Sequence, residues 1–170
     1  MMDILRTRRS IRKYKDEDIE PEIVDLLKEA ALRSPTSRNF RPWRFIFVED
    51  QEKLAALSEA KPSGSSFLAG ARLGVVVSAD EDESDVWIED CSIASMILQL
   101  AGQSLGLGSC WIQIRLRMHD DSVTSEEYVR SVLDLPENMR VESMIAFGYP
   151  DEEKAPIPAG ELEHEKILSD

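Results

Sequence analysis

The chain has 170 residues, 42% hydrophobic and 31% charged, with 20 Lys/Arg against 33 Asp/Glu and a formal charge of −13. That length suits one domain, or one protomer of an oligomer, with a proper core, and the composition excludes disordered and collagen-like classes. No apolar run approaches the roughly 18 residues of a membrane span, and so acidic a surface excludes nucleic acid or an anionic membrane as the expected partner.

At the start, M-M-D-I-L-R, an aspartate and an arginine interrupt any signal-peptide core, so a cytoplasmic location is expected. Residues 2–9 can form a short helix. In D-E-D-I-E-P-E the acids and Pro21 favour a helix start, and Ile23, Leu26, Leu27, Ala30 and Ala31 repeat at helical spacing. The spacing predicts an amphipathic helix from Pro21 to Arg33, stopped by Ser34-Pro35. A polar loop, S-P-T-S-R-N-F-R-P-W, leads into a strand from Trp43 to Val48. A helix over Asp50 to Ala60 shows Leu54 and Leu57 on one face. After the loop K-P-S-G-S-S, the run Ala69 to Ala79 reads as a buried strand around L-G-V-V-V-S-A.

The acidic stretch D-E-D-E-S-D (80–85) lacks the glycine and terminal glutamate of a calcium loop and reads as a solvated turn ahead of a helix. From Val86 to Leu105 runs the longest helix, uncharged between Cys91 and Leu105 and apolar on nearly every face. It is expected to be buried on all sides, by its own sheet and by a second subunit. G-L-G (106–108) ends it, and S-C-W-I-Q-I (109–114) is the next strand. Thr124 to Leu133 is a short helix with the cap pattern T-S-E-E, and Met139 to Phe147 alternates into a last strand closed by G-Y-P. The expected fold is α+β, a mixed and mainly antiparallel sheet of four or five strands flanked by helices. Residues 1–150 form its domain. The polar extension 151–170 wraps over the body or a partner. No internal repeat, G-x-G-x-x-G turn or Walker loop is present.

Charge is unevenly spread. Residues 1–44 carry eleven Lys/Arg against eight Asp/Glu, and the other 126 carry nine against twenty-five. Arg6 to Lys15 (R-T-R-R-S-I-R-K-Y-K) holds six basic side chains and no acid. Such a patch costs self-repulsion unless an anion sits in it. Arg8, Arg9, Ser10 and Arg12 offer guanidinium forks and a hydroxyl suited to a phosphate group. Arg12 has a second reading, an ion pair with the acids at 16–18. Cys91 and Cys110 lack zinc-site spacing, and His119 and His164 form no cluster with them, so no metal site or disulfide is expected and both thiols read as small buried groups. Trp43 and Trp111 read as core aromatics.

Four blocks in order, R-R-S-I-R-K-Y, S-P-T-S-R-N-F-R-P-W, G-L-G-S-C-W-I and F-G-Y-P, resemble the FMN-dependent nitroreductase family over about residues 4–150. The resemblance implies an α+β intertwined homodimer with two FMN sites at its interface. It also implies reduction of a nitroaromatic, quinone or similar conjugated small-molecule acceptor with electrons from NADH or NADPH, by ping-pong hydride transfer through flavin N5.

By the same resemblance, Arg8, Arg9 and Ser10 match the phosphate block. Arg12 matches a basic position near flavin N1 and the C2 carbonyl. Pro35, Thr36, Ser37 and Asn39 match a loop that crosses to the partner's flavin, and Cys110, Trp111 and Ile112 match a strand whose backbone amides approach N5 and O4. Relatives complete the phosphate site with a basic residue after the last turn. Lys154 is the candidate here and Lys166 the more distant one. Arg38 and Arg41 replace a small polar residue and a glutamine, and extra cations there would favour an acidic acceptor or a nicotinamide phosphate. No catalytic acid is nominated. The alternative function is a non-catalytic FMN-binding or flavin-sensing protein.

Overall fold

The computed structural model describes residues 1–168. Helix α1 (Met2–Thr7) and helix α2 (Pro21–Leu32) precede strand β1 (Trp43–Val48). Helix α3 (Gln51–Ser58), strand β2 (Leu73–Asp80), helix α4 (Trp87–Ser104), strand β3 (Gly108–Gln113), helix α5 (Ser125–Leu133) and strand β4 (Met139–Gly148) follow. One four-stranded sheet has the order β1-β2-β4-β3, and every pairing is antiparallel. The expectation of a mixed sheet thus narrows to an antiparallel one of four strands. The crossovers that reach β4 last leave β1 and β3 as the two edges.

Local chemistry explains the boundaries. Pro21 opens α2 from its first turn. The Asp50 side chain accepts from Lys53 N–H at 2.9 Å and caps α3. Thr124 and Glu127 form a reciprocal capping box on α5, and Asp134 ends that helix in the left-handed region at φ 53°.

The sheet is covered on both faces. On one, α2 and α4 pack Val24, Leu27, Cys91, Ala94 and Leu98 against Val75, Val77, Ile145 and Phe147. On the other, α3 and α5 bring Leu54, Leu57 and Val129 against Val76, Ile112, Met144 and Ala146. Two covered faces account for β2 being an almost unbroken apolar run, buried through its length up to Asp80. Opposite the Val77–Ser78 step, Glu142 is an extra residue in β4, a bulge.

Within the single chain helix α4 is covered except for one stripe, where Ile93 is 44% and Met96 37% exposed, and the expected covering by a second subunit lies outside the single chain. The acidic turn differs from expectation. Rather than facing solvent alone, Glu83 pairs with Arg44 (2.7 Å), Glu81 with Arg140 (2.6 Å) and Asp85 with Arg38. Both cysteines are free and buried, and Trp43 is in the core as expected, whereas Trp111 is only half-buried. Among the described residues no helix is long and apolar enough to cross a membrane.

Candidate functional site

The basic segment after α1 becomes an extended strap. Arg8 leaves the helix at ψ 137°, and Ser10 bridges Ser109 on the outer edge of β3, with Ile11 N–H donating to Ser109 O at 2.9 Å. The strap then crosses to the end of β4. Lys15 N–H donates to Tyr149 O and Asp151 N–H to Lys13 O, both at 2.9 Å. Two glycines permit this close crossing. A Cβ on Gly108 would lie 2.8 Å from Ile11, and one on Gly148 2.9 Å from Tyr14.

The chain beyond β4 returns over the strap. Lys154 Nζ donates to Ser10 O at 2.6 Å, and the Arg9 guanidinium donates to Ala155 O. Lys166 is engaged elsewhere, with Glu163 at 2.6 Å. Of the two sequence candidates, Lys154 is therefore the one brought to the Arg8–Ser10 block. Glu152, which sequence reasoning missed, accepts from Arg12 N–H (2.5 Å) and Lys13 N–H (3.3 Å) and pairs with Lys154 (3.1 Å). The Arg12 N–H above all, and Lys154 less, hold its carboxyl below the ordinary carboxylate range.

Arg12 itself is settled by its neighbours. Asp16 and Asp18 pair with Arg72, not with Arg12. Its guanidinium lies 5.6 Å from the centre of the Phe67 ring, with no ion pair among the described residues. Burial pushes the Cys110 thiol up, while Arg12 and a hydrogen bond with Ser10 oppose it, so it stays a thiol at neutral pH. No described residues group into a possible metal site.

Strand register separates the three β3 positions. Ser109 faces outward to the strap and Ile114 N–H bonds inward to Glu142 O, so alternation turns the backbone of Trp111 and Gln113 out, and that of Cys110 and Ile112 toward β4. Trp111 and the unforeseen Gln113 thus carry the free edge amides. Gln113 also fixes the indole, accepting from Trp111 Nε1 at 3.1 Å.

Pro35, Thr36, Ser37 and Asn39 lie on a separate loop seated on the start of α4. Ser37 N–H donates to the buried Asp90 carboxylate at 2.8 Å, and Arg41 N–H to Thr36 Oγ1 at 3.1 Å. Three residues hold positive φ, Arg38 (50°), Asn39 (60°) and Arg41 (54°), a conformation non-glycine residues adopt only where surroundings enforce it. Arg38 is neutralised by Asp85 and lies 4.7 Å over Phe40, whereas the Arg41 guanidinium makes, among the described residues, only a 2.9 Å hydrogen bond to Asn39. No hydrogen bond or ion pair among the described residues joins this loop to the strap cluster.

The residues present suit an FMN group. Lys154 lies on the Ser10 carbonyl next to the Arg8–Arg9 pair in the chain, the Arg12 guanidinium has no ion pair among the described residues and lies near an aromatic ring, and the β3 edge offers two outward amides. Glu152 trims the cationic character of the phosphate end.

Comparison with known proteins places the chain in a family. The Nitroreductase family profile matches residues 5–64 and 54–149. This chain belongs to the nitroreductase family. It is 38% identical to the Archaeoglobus fulgidus protein named "Putative NADH dehydrogenase/NAD(P)H nitroreductase", over 90% of this chain and 87% of that one. A Thermus thermophilus NADH dehydrogenase is 27% identical over 88% of this chain and 86% of its own length. The solved FMN-dependent nitroreductase of Clostridium difficile R20291 superposes with TM-score 0.98 and 46% identity, covering 100% of this nitroreductase-family chain and 99% of that one.

Proposed function

We propose that the chain is an FMN-dependent oxidoreductase that draws electrons from NADH or NADPH and reduces a conjugated small-molecule acceptor such as a nitroaromatic or a quinone. The observation that carries this reading is the convergence of Ser10, Lys154 and Arg12, the last without an ion pair among the described residues, along the edge of β3. FMN, when bound, supplies hydride exchange at N5, chemistry that no side chain here provides.

The chain's own residues orient and stabilise. Arg8, Ser10 and Lys154 hold the phosphate, with Arg9 steadying the returning segment through Ala155 O. Arg12 sits where a fixed cation stabilises negative charge gathered on a reduced ring. Trp111 N–H and Gln113 N–H, turned outward from β3, would be the backbone donors for the ring edge. No side chain in the cluster is placed as a proton donor, because Cys110 is buried and Glu152 is held as a carboxylate.

The functional unit in this reading is a homodimer. Pro35, Thr36, Ser37 and Asn39 sit apart from their own strap cluster, and the open stripe at Ile93 and Met96 on α4 gives a second copy an apolar face to cover. The domain spans residues 1–150, and the extension embraces the body.

The test is reconstitution with FMN followed by steady-state turnover with NADH or NADPH and a quinone. Parallel double-reciprocal plots support the reading. A protein that binds FMN tightly but turns over neither donor is a flavin-holding protein instead.

A further inference from the structure

The turn after β3 and the bend after α3 each carry a cation that the cofactor assignment does not use. Residues 114–118, I-R-L-R-M, form a tight reversal in which Arg117 N–H donates to Ile114 O (3.1 Å) and Ser125 N–H to Arg117 O (2.9 Å). His119 anchors this reversal to the end of α3. Its Nδ1–H donates to Glu59 O at 2.9 Å, and its ring stacks on Tyr128, centres 3.9 Å apart, while Tyr128 OH donates to Ala56 O at 3.0 Å. Those tethers set Arg117 beside the bend that follows α3, where Lys61 is half-buried and folded back over its own loop. Its Nζ lies 3.6 Å from the place a Cβ on Gly64 would occupy.

Neither cation has an acidic partner among the described residues, in a chain where 33 acids outnumber 20 bases and the arginines around the 80–85 turn are all matched. Two like charges held together this way raise each other's energy until an anion relieves them. Burial, and then Arg117, push the Lys61 ammonium below its usual range. Lys61 opens the loop that carries Phe67, whose ring centre lies 5.6 Å from the Arg12 guanidinium, and Arg117 follows shortly after Gln113 at the end of β3, so the pair borders the strap cluster rather than some distant surface.

We propose that Lys61 and Arg117 are a second anion-binding point at the rim of the candidate pocket, which takes the carboxylate or phosphate of the molecule that reacts there. The inference rests on the proposed oxidoreductase reading. It assigns to two loops, both unremarkable in sequence, the cationic selection that the Arg38 and Arg41 departures suggested, and Arg38 is already consumed by Asp85. The anionic group has two possible sources, a carboxylate on the acceptor or the 2′-phosphate of NADPH.

The experiment uses the FMN-loaded protein with Lys61→Met, which keeps the stem and removes the charge, and Arg117→Gln, singly and together. Equilibrium binding of p-nitrobenzoate and nitrobenzene is measured by calorimetry without any donor, followed by KM for both acceptors and for NADPH against NADH. The expected result is that the wild type prefers p-nitrobenzoate and that the double variant loses about tenfold of that preference, the scale of one charge-assisted contact. If the NADPH:NADH ratio shifts instead and p-nitrobenzoate does not, the point is occupied by the donor phosphate. Equal changes for charged and neutral ligands, or a weakened Kd for FMN, overturn the proposal. The calorimetric arm needs no turnover, so it separates failure of this inference from failure of the oxidoreductase reading.

Discussion

Gly108→Ala is the sharpest perturbation of the strap. Gly108 is not among the positive-φ glycines, so alanine brings no backbone penalty and the effect is purely steric. Its Cβ would lie 2.8 Å from Ile11 Cβ and Cγ2 and 3.0 Å from Cγ1. Comfortable carbon contacts begin near 3.5 Å, so the strap must retreat by roughly 0.7 Å or more. Overpacking of this kind costs about 1–3 kcal/mol, and the lower unfolded-state entropy of alanine returns about 0.4–1 kcal/mol. The expected net loss is about 1–2 kcal/mol, or roughly 2–8 °C in Tm at 2–4 °C per kcal/mol. Retreat carries Ser10 and Arg12 off the β3 edge, so FMN Kd should rise about tenfold or more. Denaturant titration at fixed protein concentration and fluorescence titration with FMN read the two effects. Gly160→Ala, with nothing within 4 Å, is the neutral control. Unchanged stability and FMN affinity in Gly108→Ala would refute the strap argument.

Three further outcomes follow from the same contacts. Thr124→Ala removes the capping box of α5 and should cost about 1 kcal/mol by denaturation, with FMN affinity unchanged because no hydrogen bond among the described residues ties α5 to the strap. Glu142 is 3% exposed with Oε2 unpartnered, and burial raises its pKa from 4.5 to about 6. Because the folded value lies above the unfolded one, the neutral form favours the fold below about pH 4.5, and that advantage is lost as pH rises through about 6. Glu142→Gln should therefore stabilise at pH 7, by up to about 2 kcal/mol, and do little at pH 4, as read by thermal melts at both values. Asp90→Ala leaves Ser37 N–H without its acceptor and should expose the loop, speeding tryptic cleavage after Arg38, whereas Asp90→Asn, which keeps an oxygen there, should be cleaved more slowly than Asp90→Ala.

What could be read without coordinates was local or periodic. The strand Trp43–Val48 emerged to the residue, and the cap at Thr124 fell where T-S-E-E placed it. Lys154, named from the family resemblance, lies beside Ser10. Pairings across the chain left no comparable mark. That Asp16 and Asp18 would meet Arg72, leaving Arg12 unpaired, depends on a crossing of strap and sheet that no spacing encodes. Glu152 reaches Arg12 and Lys13 from the far end of the chain. Which stripe of α4 its own sheet leaves open, at Ile93 and Met96, had no mark in the sequence, since the run from Cys91 to Leu105 carries no charge to label a face. Similarly, the outward amides of Trp111 and Gln113 follow from edge position and register, which appear only once β4 is known to lie inside β3.

The most direct measurement is the visible spectrum of the FMN-loaded protein during anaerobic addition of NADH and then NADPH. Bleaching of the flavin bands by at least one donor, and their return when a quinone is added, is the expected result. A flavin that binds yet stays oxidised through both additions, or a protein that cannot be loaded with FMN at all, would contradict the central claim.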